Sequence, residues 1–374
     1  MRVLITGPNG FVGKNLRLRL SERKGDEVLP FGRQDDPATL AARLAQADVV
    51  VHLAGANRPT DPREFVADNA ELTQRLAEAV ADIARRTGRR VPVLYTSSIQ
   101  ARNDSPYGRS KRAGEEAMQA LASEGHPVHV FRLPNVFGKW ARPNYNSVVA
   151  TFCHHVARDL PIQVNDPTTP LTLVYVDDVV DTFLRVIDGT PPERDGDGFA
   201  RVEPTYTATL GELAHSIRQF RDSRATLTID RVGTGLTRAL YATYVSYLPP
   251  EAFAYPVAQH ADPRGVFVEM LKTADSGQFS YFTAHPGVTR GGHYHHTKTE
   301  KFLVIKGQAR FRFRHMDTGE AFELTTRGDE ARIVETIPGW THDITNMGAD
   351  ELVVMLWANE VFDRERPDTY ANAL

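Results

Sequence analysis

The chain has 374 residues, of which 41% are hydrophobic and 24% charged, with a formal net charge of −3 and a lone cysteine, Cys153. That length exceeds one ordinary core, so two domains are expected. The small net charge excludes a general field for nucleic acid or an anionic membrane, no apolar run reaches spanning length, and one cysteine excludes an intrachain disulfide framework. The expected partner is a small molecule, with no nucleic acid and no membrane. The opening "MRVLITG" enters a strand without a basic leader, and a cytoplasmic location is expected.

To about residue 185, short β-branched runs alternate with longer helical patterns, the rhythm of a doubly wound α/β domain with a parallel sheet. The predicted strands are Val3–Thr6, Glu27–Phe31, Val49–Leu53, Val93–Ser97 and Val128–Leu133. Between them "FVGKNLRLRLSE" and "EFVADNAELTQRLAEAVADIARRTG" read as helices, the second with Leu72, Leu76, Val80 and Ile83 on one stripe and Gly88 as its stop. A charged Pro/Gly loop follows Ile187, and "LGELAHSIRQFRDSR" returns to helix. From about Pro249 a linker gives way to short strands with turn signals. In "ARFRFRHMDTGEAFEL", Phe311 and Phe313 alternate with Arg310, Arg312 and Arg314, which predicts a strand buried on one face. The expected domains are 1–248 and 249–374.

The first strand is followed by "TGPNGFVG", which sets Gly7, Gly10 and Gly13 three apart at the opening of a helix. Glycine lets backbone approach a pyrophosphate, and the helix N-terminus offers it unpaired N–H groups. The second strand ends in Phe31, Gly32 and Arg33. A guanidinium there suits the extra phosphate of NADP, where an acid would suit NAD, so NADPH is expected, with Asp35 and Asp36 close by as counter-signals. In "SPYGRSKRAGEEA", Tyr107 and Lys111 share one helix face, preceded by "TSS" at a strand end. The ammonium beside the phenol would favour the phenolate and bind the nicotinamide ribose, Tyr107 would donate a proton, and Ser98 would hold a substrate carbonyl.

The glycine turn, the Ser98 strand end and the Tyr–Lys helix, in this order, resemble the extended short-chain dehydrogenase/reductase family, whose members mostly act on nucleotide sugars. The resemblance implies a Rossmann-type fold and extends the cofactor contacts to Phe11 and Val12 of the glycine turn and to Leu53, Ala54 and Gly55 of "HLAGANRP". In that family the stretch after the sixth strand, here "RLPNVFGKWARPNYNS", meets the sugar nucleotide, which makes Asn135, Lys139 and Arg142 substrate candidates.

Near the C-terminus, "GVTRGGHYHHTKTEKFLVIKG" places His293, His295 and Glu300 between Gly287 and Gly307, and "PGWTHDITN" adds His342. The spacing resembles the two motifs of the cupin family, an all-β barrel or jelly roll, with the proline of the second motif one place nearer its histidine than usual. Imidazoles two apart on a strand point to one side, so a barrel strand would aim both at one ion. Three imidazoles and a carboxylate suit zinc, iron, nickel or manganese, with zinc the expected divalent ion. His296 and Lys298 lie beside the metal strand as possible bases. A reductase of nucleotide sugars followed by a metal cupin is similar to a group of capsular polysaccharide biosynthesis enzymes, carried here by "GFVGKNL", "HLAGANRP", "SSIQA", "YGRSK", "PNVFGKW", "PNYNSV", "YVDD", "HYHHTKTEKFLV" and "PDTY". The resemblance implies a bifunctional enzyme of UDP-N-acetyl-L-fucosamine synthesis. Its cupin would epimerise carbon 3 of a UDP-linked 4-keto amino sugar, a UDP-2-acetamido-2,6-dideoxy-4-hexulose. Its reductase domain would reduce carbon 4 with NADPH to UDP-2-acetamido-2,6-dideoxy-L-talose, and the protein would be a homodimer. Two alternatives stay open: a single-step reductase whose cupin is a structural or dimerisation module, and a cupin that binds iron for dioxygen chemistry.

Overall fold

The computed structural model describes residues 1–296 and 298–374. The chain divides into two compact units, Met1–Arg218 with Arg238–Pro249, and Gln219–Thr237 with Pro250–Leu374. The expected break at 248/249 lies beside the crossing at Pro249, but 219–237, expected with the first domain, belongs to the second unit. There Thr228 and Ile229 pair in parallel with Lys272 and Thr273, and Arg231 binds Asp275 at 2.6 Å.

The first unit is built on β1 (Arg2–Thr6), β2 (Glu27–Phe31), β3 (Val49–His52), β4 (Val93–Ser98) and β5 (Val128–Leu133), all parallel, in the order β2-β1-β3-β4-β5. Side chains alternate across a strand, so each strand feeds two cores. Leu4, Val50, Val93 and Tyr95 pack with Leu44, Leu76 and Val80, whereas Val3, Ile5, Val51 and Leu94 pack with Leu16, Leu20 and Phe183. Burial on both faces is why β1 and β3 read as continuous apolar runs, whereas the edge strand β2 exposes Glu27 and Pro30. The sheet has five strands, so the stretch matched above to the family's sixth strand follows β5 here. The long predicted helix begins with a short turn, Arg63–Phe65, passes through a π-helical turn at Val66–Glu71, and runs on as Leu72–Thr87 to a left-handed Gly88.

The second unit is β-rich. One sheet runs in the order His260–Asp262, Gly265–Thr273, Gly277–Ala284, Leu352–Ala358, Glu300–Lys306, Ile333–Glu335; a second runs Ala321–Arg327, Gln308–His315, Trp340–Asn346, Thr289–Tyr294, Tyr370–Ala371. Phe311 and Phe313 turn inward with Phe282, Phe302, Ile344 and Val354, the face predicted from the Phe/Arg alternation. No described helix is long and apolar enough to cross a membrane.

Candidate active site and candidate metal centre

The strand order reverses between β1 and β3, and in open parallel sheets the crevice at that point, beyond the carboxyl ends of the strands, takes the ligand. A cavity of about 480 Å³ lies there. Of the residues expected at a dinucleotide, Gly7, Gly10, Phe11, Val12, Gly13, Leu53, Gly55 and Lys111 line it. Gly7 has φ 68°, and a Cβ there would stand 2.9 Å from the backbone of Ala54. Only glycine therefore lets the first turn lie against the loop after β3, and Ala54 stands behind that turn rather than at the cavity wall. The Thr6 hydroxyl ties the two together by accepting from the N–H groups of Leu53, at 3.2 Å, and Ala54, at 3.1 Å.

Arg33 is placed differently from the expectation of a cation waiting for phosphate. It is exposed and is bound by Asp68 and, at 2.9 Å, by Glu64, and these acids hold it above its ordinary value. The turn at Arg63–Phe65 and the π-helical turn after it bring both acids to the end of β2. Asp35 accepts from the Gly32 N–H at 2.7 Å, where it stiffens the same corner.

Ser98, Tyr107 and Lys111 all line the cavity. Ser98 closes β4, and Ser105 caps the helix Pro106–Ser123 by accepting from the Gly108 N–H, which fixes where Tyr107 enters. Burial pushes the Tyr107 phenol up, while its hydrogen bond with Ser98 acts against that rise. Lys111 lies on the same helix as Tyr107 and lines the same cavity. Its Nζ donates to the Thr96 carbonyl at 3.1 Å, and burial pushes the ammonium down to about 8 against the opposing pull of Glu115. Of the substrate candidates, Asn135 and Arg142 line the cavity. Lys139 does not, because its Nζ is held by Asp177 at 2.5 Å.

Two supports escaped the sequence reading. Glu115, 2% exposed, accepts from Ser97 at 2.5 Å and from Arg132 at 2.8 and 2.7 Å, and so locks the ends of β4 and β5 to the helix that carries Tyr107. Asn69, fully buried on the π-helical turn, donates to Ala56 O and Ser110 Oγ. A buried asparagine in a helical run of otherwise ordinary polarity was the available signal, since such a group must find partners.

In the second unit His293, His295, Glu300 and His342 bring one ligand atom each within 4.8 Å of one another. His293 and His342 are register partners in one sheet, while Glu300 opens a strand of the other, so the set joins the two sheets. His295 lies one residue past Thr289–Tyr294, beyond the strand on which the spacing placed it. Before His293, Gly291 has φ 90°, and a Cβ there would meet the His342 carbonyl at 2.9 Å, so the bulge that swings His293 toward His342 requires glycine.

The donor chemistry fits a cation. The Nδ1 of His295 faces the Asp368 carbonyl at 2.6 Å and that of His342 faces the Trp340 carbonyl at 3.4 Å. Carbonyls only accept, so Nδ1 carries the proton in both rings and each Nε2 is left with its lone pair toward the cluster. The His342 Nε2 is buried without a hydrogen-bond partner among the described residues. Burial, with His342 and His295 adding to it, pushes His293 down to about 4, which keeps it neutral as a ligand must be.

Residues 3–195 match the NAD dependent epimerase/dehydratase family, and residues 260–370 match the Polysaccharide biosynthesis C-terminal domain. The UDP-2-acetamido-2,6-beta-L-arabino-hexul-4-ose reductase of Pseudomonas aeruginosa is 61% identical over 372 residues, covering 99% of this chain and 98% of that one. The crystal structure of the capsular polysaccharide assembling protein CapF from Staphylococcus aureus matches with a TM-score of 0.91 at 42% identity, over 100% of both chains. UDP-glucuronic acid 4-epimerase from Bacillus cereus, at 18% identity and a TM-score of 0.55 over 66% of this chain, shares the fold alone.

Proposed function

This chain belongs to the NAD dependent epimerase/dehydratase family, and we propose that it is a capsular-sugar enzyme that reduces the carbon 4 ketone of a UDP-linked 2-acetamido-2,6-dideoxy-hexulose after epimerising its carbon 3. The observation that carries the reading is the convergence of Ser98, Tyr107 and Lys111 on one cavity with the glycine turn.

A bound NADPH supplies the hydride. Ser98 hydrogen-bonds the ketone oxygen and fixes its distance and angle, which removes the entropic part of the barrier. Tyr107, which lines the same cavity as Ser98, gives its phenolic proton to that oxygen as negative charge builds on it. Lys111 would hold the nicotinamide ribose, and Asn135 and Arg142 would meet the sugar nucleotide. Arg33 would exchange Glu64 and Asp68 for the extra phosphate of NADPH.

The second unit is read as a cupin barrel whose four-ligand set holds a divalent ion, proposed as zinc. Such an ion supplies Lewis acidity toward a carbonyl. A 4-keto sugar has an acidic hydrogen at carbon 3, so a base removes it and an acid returns one on the other face. His296 is exposed and available for that work, whereas Lys298 has its Nζ committed to Pro367 O and Thr369 Oγ1. Reduction of the ketone then abolishes the acidity and fixes the new centre, giving UDP-2-acetamido-2,6-dideoxy-L-talose. A homodimer located in the cytoplasm completes the proposal.

The test is product analysis in deuterated buffer from the 4-keto sugar nucleotide. Without NADPH, deuterium should enter carbon 3; with NADPH, the talose derivative should accumulate. Reduction without any exchange at carbon 3 would leave a single-step reductase with a structural second unit. A pH dependence accompanies the Lys111 assignment. Because the lysine is charged below about 8 and neutral above it, dinucleotide affinity should be level on the acid side and weaken as the pH rises through about 8. Fluorescence titrations on either side of that value read this directly, and an unchanged affinity would remove Lys111 from the ribose.

A further inference from the structure

We infer that Asp368 is a positioning residue that holds His295 in the single orientation able to ligate the ion; the inference rests on the metal reading above. His295 lies past the end of its strand, and although its carbonyl accepts from the Gly339 N–H at 2.9 Å, that bond does not set the angle of its ring. What fixes it comes from the far end of the chain, 73 residues away, where the Asp368 carbonyl accepts from His295 Nδ1 at 2.6 Å. The Asp368 carboxylate then clamps the backbone that follows, with Oδ1 accepting from the His296 N–H at 3.0 Å and Oδ2 from the Lys298 N–H at 2.8 Å.

The clamp is reciprocal. Lys298 Nζ donates to the Pro367 carbonyl at 3.1 Å and to Thr369 Oγ1 at 2.6 Å. Beyond it Tyr370 pairs with Tyr294 and Ala371 with His293, and the two tyrosine rings stack 5.3 Å apart. The chain 367–371 thus straps the metal-bearing strand from both sides of His295. Asp368 itself sits at φ 38°, a conformation that aspartate and asparagine adopt more readily than other side chains. With Nδ1 protonated by this contact, the Nε2 lone pair points at Glu300 Oε2, 3.3 Å away. A cation between them would satisfy both acceptors at once, so the strap prepares the neutral His295 ring for the ion.

Outer hydrogen bonds of this kind set ligand affinity by about 10- to 100-fold. Zinc competition against a chromogenic chelator, and the visible spectrum of the cobalt(II)-loaded full-length protein, test the inference. Asp368→Ala should weaken zinc binding by about 10- to 100-fold and alter the cobalt bands, which report ligand geometry and not fold stability. Asp368→Asn keeps one acceptor oxygen and the left-handed backbone, and should fall between Asp368→Ala and the parent protein. If Asp368→Ala does not fold, Asp368→Asn decides alone. Parent-like affinity and parent-like cobalt bands in the folded variant would overturn the strap while leaving the metal site standing. A parent protein that takes up neither zinc nor cobalt would overturn the metal reading, and the strap with it.

Discussion

Replacing Tyr107 by Phe is expected to lower NADPH oxidation by about 100- to 10,000-fold, the usual contribution of a positioned general acid. The phenol is the group poised to protonate the ketone oxygen, and Phe keeps its ring contact with Phe65, at 5.9 Å, while removing the proton. Ser98 Oγ retains the Gln100 N–H at 3.1 Å as a partner, so the strand end should stay in place and folding should change little. Dinucleotide binding should survive, because the glycine turn and Lys111 are untouched. Solvent deuterium exchange at carbon 3 should also survive, since the proposed epimerase chemistry lies with the second unit. Steady-state rates, dinucleotide titration and exchange by mass spectrometry separate these three outcomes. Loss of exchange together with reduction would argue against two independent sites, and near-parent oxidation would move the acid to another group.

The second large effect is expected from His342→Ala, which should abolish stoichiometric metal by elemental analysis and destabilise the second unit. The ring is 5% exposed and packs 4.7 Å from that of His293 and 5.1 Å from that of His295, so its loss opens the cluster from the middle. Metal that binds only the folded unit stabilises it by mass action, about 4 kcal/mol when free ion stands at about 1,000 times its Kd, and the variant forfeits that term. Acid should have the same consequence. His293, at about 4 when folded and near 6.5 when unfolded, takes its proton first in the unfolded chain, so stability falls as the pH drops between those values. Unchanged metal content in the variant would disprove the ligand set. Metal lost with carbon 3 exchange preserved would make the ion a structural clip between the sheets.

The features legible in the sequence were those encoded within a few residues. Gly7, Gly10 and Gly13 could be read because a turn that must approach phosphate leaves no room for a side chain, and Tyr107 with Lys111 because four residues span one helical turn. Strands β1 and β3 of the first sheet could be read because burial on both faces forces apolar runs. His293, His295, Glu300 and His342 were found by motif spacing, although the strand stops before His295 and the ring is aimed by other means.

Partners distant in sequence were not legible. Arg33 looked like a free cation until the fold brought up Glu64 and Asp68, 31 and 35 residues away, and Lys139 met Asp177 across 38 residues. Nothing local marks Thr228 as a strand of the second unit, since its pairing with Lys272 supplies the hydrogen bonds that make it one. Sequence by itself determined where the two residue sets lie, a glycine turn with a Tyr–Lys pair and a His/Glu cluster, because each is written in residue type and short-range period. Tertiary structure alone decided which charges are neutralised, which lysines are committed, and that Asp368 orients His295. Those outcomes depend on how sheets and loops far apart in the chain come into register, and the same side chain is a free cation or a satisfied one according to what packing sets beside it.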